Sequence, residues 1–111
     1  FTFEGQPGYC SGLFRYCMSL RSAAFTDCSL VIDTNDMFQN CSQLLNLRVP
    51  GMSVSFDISY CLMSREALVQ VFQDLGIVSG ETIYVGGNRG TPLLTPEDIQ
   101  IATDKGWYVS T

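Results

Sequence analysis

The 111-residue chain is near the size of one domain, and at 46% apolar residues it has enough material to bury a core. Only 15% of its residues are charged, against roughly 25% in soluble domains, so its surface must be built largely from Ser, Thr, Asn, Gln and Gly. The net charge of -5, with Lys and Arg scattered singly, excludes a phosphate-neutralising patch and hence nucleic acid, and the absence of His removes the commonest general base, triad partner and metal ligand.

The chain opens on Phe1, not Met, without the basic region and cleavage site of a signal peptide. The expectation is a processed chain or the C-terminal part of a longer one, in which residues 1–12 form a truncated or irregular first coil. No apolar run approaches the roughly 20 residues that span a bilayer, so membrane insertion is not expected.

From residue 13 a repeat is visible. Leu13-Phe14-x-x-Cys17-x-x-Leu20 returns as Met37-Phe38-x-x-Cys41-x-x-Leu44, displaced by 24 residues. A second series runs through the same stretch as Leu30-x-Ile32-x-x-Asn35, Phe56-x-Ile58-x-x-Cys61 and Ile83-x-Val85-x-x-Asn88. Alternating apolar residues predict short strands with both side chains inward, and the Asn or Cys then stands at the turn out of the strand. A buried Asn there offers donors and acceptors to neighbouring backbone, so Asn35, Cys61 and Asn88 are read as a structural ladder.

Ser64 is an N-cap candidate, followed by Ala67, Leu68, Val71, Phe72 and Leu75 on one helical face. This spacing predicts a helix from Arg65 to Leu75, with Gly76 as a left-handed C-cap. Gly86-Gly87-Asn88-Arg89-Gly90 lacks the Gly-Lys-Ser/Thr ending of a phosphate loop and reads as a turn. Thr95-Pro96-Glu97-Asp98 starts a second helix through a hydroxyl cap, a Pro at the first helical position and acids at the positive end. Gly106 stops it, Ile99 and Ala102 face inward, and Trp107-Tyr108-Val109 closes the chain as an extended segment.

The Phe-x-x-Cys-x-x-Leu units followed by Leu47-Arg48-Val49-Pro50 resemble the bacterial BspA-type leucine-rich repeat. Leu62 to Leu68, Asn88-Arg89-Gly90, Leu94 to Asp98 and Ile101 to Val109 are similar to the closing segment of repeat proteins of bacterial surfaces and of phage tails or virions. The resemblance implies one α/β domain over residues 1–111, a short leucine-rich-repeat-like solenoid of parallel strands, with repeat coils over 13–94 and a helix-strand cap over 95–111. It implies a non-enzymatic structural or adhesive module that contacts protein: neighbouring virion or surface subunits, or a host receptor or glycan. The location it implies is a virion or the bacterial cell surface. The alternatives are a bacterial adhesin repeat, a glycan-binding accessory domain of a cell-wall enzyme, and a metal- or redox-regulated module.

The five cysteines contain no Cys-x-x-Cys pair and have no His to complete a zinc set, so neither metal nor cofactor is expected. Cys17, Cys41 and Cys61 are read as buried packing thiols. A bridge between Cys17 and Cys41 stays conceivable, since it needs Cα atoms within about 7 Å and neighbouring strands lie about 5 Å apart. Asp33-Thr34-Asn35-Asp36 lacks the closing Glu of a calcium loop, and Glu66, Asp74, Glu97 and Asp98 have helix-end or solvated roles simpler than a catalytic acid pair. No catalytic residue is assigned. If the apolar residues of the strands point inward, those between them form the exposed face, so Val31, Asp33, Asp57, Ser59 and Tyr84 are the candidate partner-binding residues, with Tyr84 as the aromatic anchor.

Overall fold

Parallel strand pairs require long crossovers, and every strand pair of this protein is of that kind. The computed structural model describes residues 1–111 and shows a small α/β molecule with two three-stranded parallel sheets and two helices. In the first sheet β1 (Thr2–Phe3), β2 (Ser22–Phe25) and β3 (Asn46–Arg48) lie in that order, with Phe3 opposite Phe25 and Ala23 opposite Leu47. In the second, β4 (Phe56–Asp57), β5 (Glu81–Tyr84) and β6 (Trp107–Ser110) follow one another, with Phe56 opposite Ile83 and Ile83 opposite Val109.

Side chains alternate along these strands as a half-buried pleat requires. Ala23, Phe25, Leu47, Phe56 and Ile83 are buried, while Asp57 and Tyr84 are exposed. The Phe residues of the 24-residue repeat meet directly: the rings of Phe14 and Phe38 stack at 5.6 Å, and Phe25 lies 6.1 Å from Phe14. Twenty-five buried apolar residues form one continuous core, running from Cys10 to Trp107.

The first member of the alternating series is out of phase. Leu30 and Ile32 are 55% and 62% exposed, and it is Val31, 2% exposed, that enters the core. A period of two admits two phases, and a slip of one residue exchanges the faces. The extended segment of this part of the chain is instead β2, where Ala23-x-Phe25-x-x-Cys28 carries the same pattern and buries all three residues.

Helix α1 (Arg65–Asp74) starts at Ser64, whose hydroxyl accepts from the Ala67 N–H at 3.2 Å, and buries Leu68, Val71 and Phe72. It packs beside β3, where the Asp74 carboxylate takes Arg48 Nε at 2.8 Å and the Val49 N–H at 3.0 Å. Gly76 is not a left-handed cap: Leu75 ends the helix in an extended conformation, and Gly76 keeps an ordinary φ. Its lack of a side chain serves close approach, since a Cβ would stand 2.5 Å from Ser53 Oγ and 2.9 Å from the Gly51 carbonyl oxygen. Lys105, from the end of the chain, supplies what the cap lacks by donating to the Phe72, Gln73 and Leu75 carbonyls.

A 3-10 turn at Thr91–Leu93 leads to helix α2 (Pro96–Thr103). Thr95 and Asp98 form a reciprocal capping box, and the Asp98 carboxylate also receives the Arg65 guanidinium, tying the two helix starts together. Ala102 is fully buried, and Ile101 packs on the core where Ile99 was expected. Gly106 adopts φ +92°, and a Cβ there would lie 1.9 Å from the Val78 carbonyl oxygen, so the chain can turn into β6 only at a glycine. Trp107 then donates to the Gly76 carbonyl at 2.8 Å and meets Phe56 edge to face.

Candidate functional site

Four turns of the chain share one construction. Tyr16, Asn40, Tyr60 and Gly87 all have positive φ, between 56° and 76°, and each is followed by a residue that points inward: Cys17, Cys41, Cys61 and Asn88. The backbone bonds fix the equivalence. Phe14 and Tyr16 donate to the Met37 and Gln39 carbonyls at 2.9 and 2.8 Å, and Ile58 and Tyr60 donate to the Tyr84 and Gly86 carbonyls at 2.9 and 2.8 Å. Measured from the inward residue, these two pairs of rungs occupy identical positions.

The side chains follow the same rule. Cys41 Sγ donates to the Phe14 carbonyl at 3.0 Å, and Asn88 Nδ2 donates to the Ile58 carbonyl at 2.9 Å, each reaching the residue three positions before the preceding inward side chain. Asn88 is buried, also bonds the Val85 carbonyl, and accepts from the Met63 N–H. Asn35 is not a member of this ladder: it is exposed, and its place is taken by Cys41. The signal for this was present as apolar-x-x-Cys/Asn at Phe14, Phe38, Ile58 and Val85, which the sequence reading split between two series.

Between the second and third of these turns the rungs are not made. The bonds equivalent to those above would join Phe38 N–H to the Asp57 carbonyl and Asn40 N–H to the Ser59 carbonyl, and neither exists; neither N–H finds any acceptor in the protein. Thr34 Oγ1 to the Ser55 carbonyl, at 2.5 Å, bridges the two segments. The cause is a difference in length. Tyr9 pairs with Asp33, and the left-handed residue, Tyr16 or Asn40, comes seven positions after each, whereas Tyr60 and Gly87 come only three positions after Asp57 and Tyr84. Like lengths pair along the whole turn, and the long turn of 34–40 cannot follow the short one of 58–60.

The result is a slot of about 390 Å³, with Thr34, Asp36, Met37, Phe38, Gln39, Asn40 and Ser42 on one wall and Asp57, Ser59 and Tyr60 on the other. Its volume is in the range of sites that hold a ligand. It does not split the molecule, because β2 and β3 pair on the far side and Leu62 N–H donates to the Leu44 carbonyl at the slot's end. Met37 and Phe38 are buried below it. Asp57 is held in a fixed orientation, its Oδ1 accepting from the Ser59 N–H and hydroxyl at 2.8 and 2.5 Å. Two carboxylates and no cation line the slot, so it suits a neutral or cationic group and opposes an anion.

Of the candidate partner-binding residues, Asp57 and Ser59 stand on the slot wall. Tyr84 is exposed on β5 as the register partner of Asp57. Asp33 is half-buried outside the slot, with Oδ1 accepting from the Asn35 N–H at 3.0 Å. Val31 is a core residue and is withdrawn from the exposed face. Thr34, Asp36, Gln39, Asn40, Ser42 and Tyr60 were missed, because the slot arises from an unmade pairing that no local motif encodes.

Other reactive groups are structurally engaged. All five thiols are free, and burial pushes those of Cys28 and Cys61 up to about 12 and raises those of Cys10 and Cys41, which keeps them from acting as thiolates at neutral pH. Asp74 is bonded to Arg48, Val49 and Gln70. The Arg65 guanidinium, followed by the Thr95 N–H, lowers the Asp98 carboxyl to about 2. Gly90 in the glycine-rich turn permits close packing, since its Cβ would stand 2.0 Å from Arg65 N. No three Cys, Asp or Glu side chains converge as a metal cage would require, and no helix is long and apolar enough to cross a membrane. Comparison with protein-family models, with curated proteins and with solved structures returns no match to this chain.

Proposed function

We propose that the chain is a non-catalytic recognition module: a short stack of leucine-rich-repeat-like coils, closed by α2 and β6, that engages a protein partner at the slot between its second and third coils. The observation that carries this reading is the slot itself. Two adjacent walls of polar side chains and unpaired main chain stand open on a support whose other rungs are all made, so the site is preorganised by the core beneath it. The stacked-coil reading is supported by the column Cys17, Cys41, Cys61 and Asn88 and by the equivalent rungs on either side of the slot. The resemblance to BspA-type repeats and to the closing segments of virion and bacterial surface proteins suggests that the partner is a neighbouring subunit or a host receptor at such a surface.

Two single tryptophan variants test it, Ser59→Trp to fill the slot and Gln73→Trp on the helical side. Binding of each chain to intact virions or envelopes of its natural source is measured by sedimentation. Loss with Ser59→Trp and retention with Gln73→Trp is the expected result. Equal behaviour of the two variants, or turnover of a polysaccharide or peptide by the native chain, overturns the reading.

A further inference from the structure

The slot has a chemical polarity that narrows what enters it. On one wall Phe38 and Asn40 present N–H groups with no acceptor. On the other, Ile58 and Tyr60 turn their N–H groups toward the Tyr84 and Gly86 carbonyls, and the carbonyls of Asp57 and Ser59, the residues that alternate with them, accept no main-chain N–H. The Ser59 carbonyl receives nothing but the Cys61 thiol at 3.8 Å. Unpaired N–H groups on one edge therefore face carbonyls on the other, and on both edges they sit on alternate residues, the spacing of the rungs that Phe14 and Tyr16 make with Met37 and Gln39.

We infer that the slot takes an extended, Lys- or Arg-bearing segment of a partner polypeptide, laid between residues 34–40 and 57–60 as the missing rung. This rests on the recognition function proposed above and specifies its ligand. Carbonyls of the incoming segment accept from Phe38 and Asn40, and its N–H groups donate to Asp57 and Ser59, which is strand addition at an internal gap instead of a sheet edge. Unpaired backbone groups beside a buried floor are unfavourable, and an extended main chain satisfies both edges at once. Asp36 and Asp57 on opposite walls, with no cation in the lining, select basic side chains on that segment. Tyr60 packs over Gly87, where a Cβ would stand 2.3 Å from its ring, and is otherwise exposed at the slot.

The test is amide hydrogen exchange of the full ¹⁵N-labelled chain with four probes: a capped hexapeptide of alternating Lys and Thr, its Glu-Thr counterpart, the Lys-Thr peptide with alternate amides N-methylated, and cellotetraose. Exchange at Phe38 and Asn40 is expected to slow by at least about tenfold with the Lys-Thr peptide alone, as a newly made rung demands. In the double variant Asp36→Lys, Asp57→Lys the effect should vanish while the Asn88 side-chain amide resonances stay in place, which reports an intact fold. No slowing with the Lys-Thr peptide, equal slowing by the Glu-Thr or N-methylated peptide, or slowing by cellotetraose instead overturns the inference. If these peptides fail while Ser59→Trp still abolishes binding to virions or envelopes, the strand mode falls and the recognition function stands.

Discussion

Replacement of Asn88 probes the inward column most directly. The side chain accepts from the Met63 N–H at 3.1 Å and donates to the Ile58 and Val85 carbonyls at 2.9 and 3.0 Å, so its bonding capacity at both ends is used. In Asn88→Ala the Val85 carbonyl keeps the Thr91 hydroxyl at 2.6 Å, but Met63 N–H and the Ile58 carbonyl lose their partners. Two buried groups left unpaired cost about 2–4 kcal/mol together. Asn88→Cys should cost about half as much, roughly 1–2 kcal/mol, because a thiol there can repeat the Cys41 bond and leaves only Met63 N–H unsatisfied. Urea unfolding of the three proteins, read as midpoint shifts at constant m, measures both. An Ala variant within about 0.5 kcal/mol of native, or a Cys variant as costly as Ala, refutes the claim that Cys and Asn serve one bonding role in successive turns.

Lys105→Met removes three donations to the carbonyls at the end of α1 and should lower stability by about 1–2 kcal/mol in the same urea assay; a change below about 0.5 kcal/mol would mean those carbonyls are served by solvent. Asp98 gives a pH signature. Its folded carboxyl lies at about 2 against an unfolded value near 3.9, so its contribution is complete above pH 4 and is lost as the pH falls toward 2. The urea midpoint of the native chain should therefore fall more steeply across that window than that of Asp98→Asn, and parallel profiles would contradict the assignment. Thiol labelling at pH 8 should modify Cys17 rapidly and the four buried cysteines only on unfolding, with five equivalents in denaturant; fast labelling of Cys28 or Cys61 in the native protein would show that the core opens.

Much of the local structure was legible in the sequence because its causes are local. Ser64 and Thr95 start helices through side-chain oxygens a few residues from the N–H groups they satisfy, and Phe56 and Ile83 share a phase that places them opposite one another. The apolar-x-x-Cys/Asn interval is likewise a property of one turn, and the two residues it singles out at 61 and 88 are both buried. The phase of Val31, the true place of Asn35 and the role of Gly76 were not legible. Each depends on which distant segment lies alongside: the Met52 and Ser53 backbone and side chain against Gly76, or the Asp33 carbonyl against Cys10.

The slot illustrates the division most clearly. The sequence alone set Cys41 and Cys61 at the same interval after an apolar residue, Phe38 and Ile58, one thiol in each of two turns. Only the tertiary structure decided that these two unequal turns are neighbours, and so that Phe38 and Asn40 lack the partners that Phe14 and Tyr16 possess. A backbone group carries the same donor and acceptor wherever it sits, so whether it is satisfied is a property of the pairing and not of the residue.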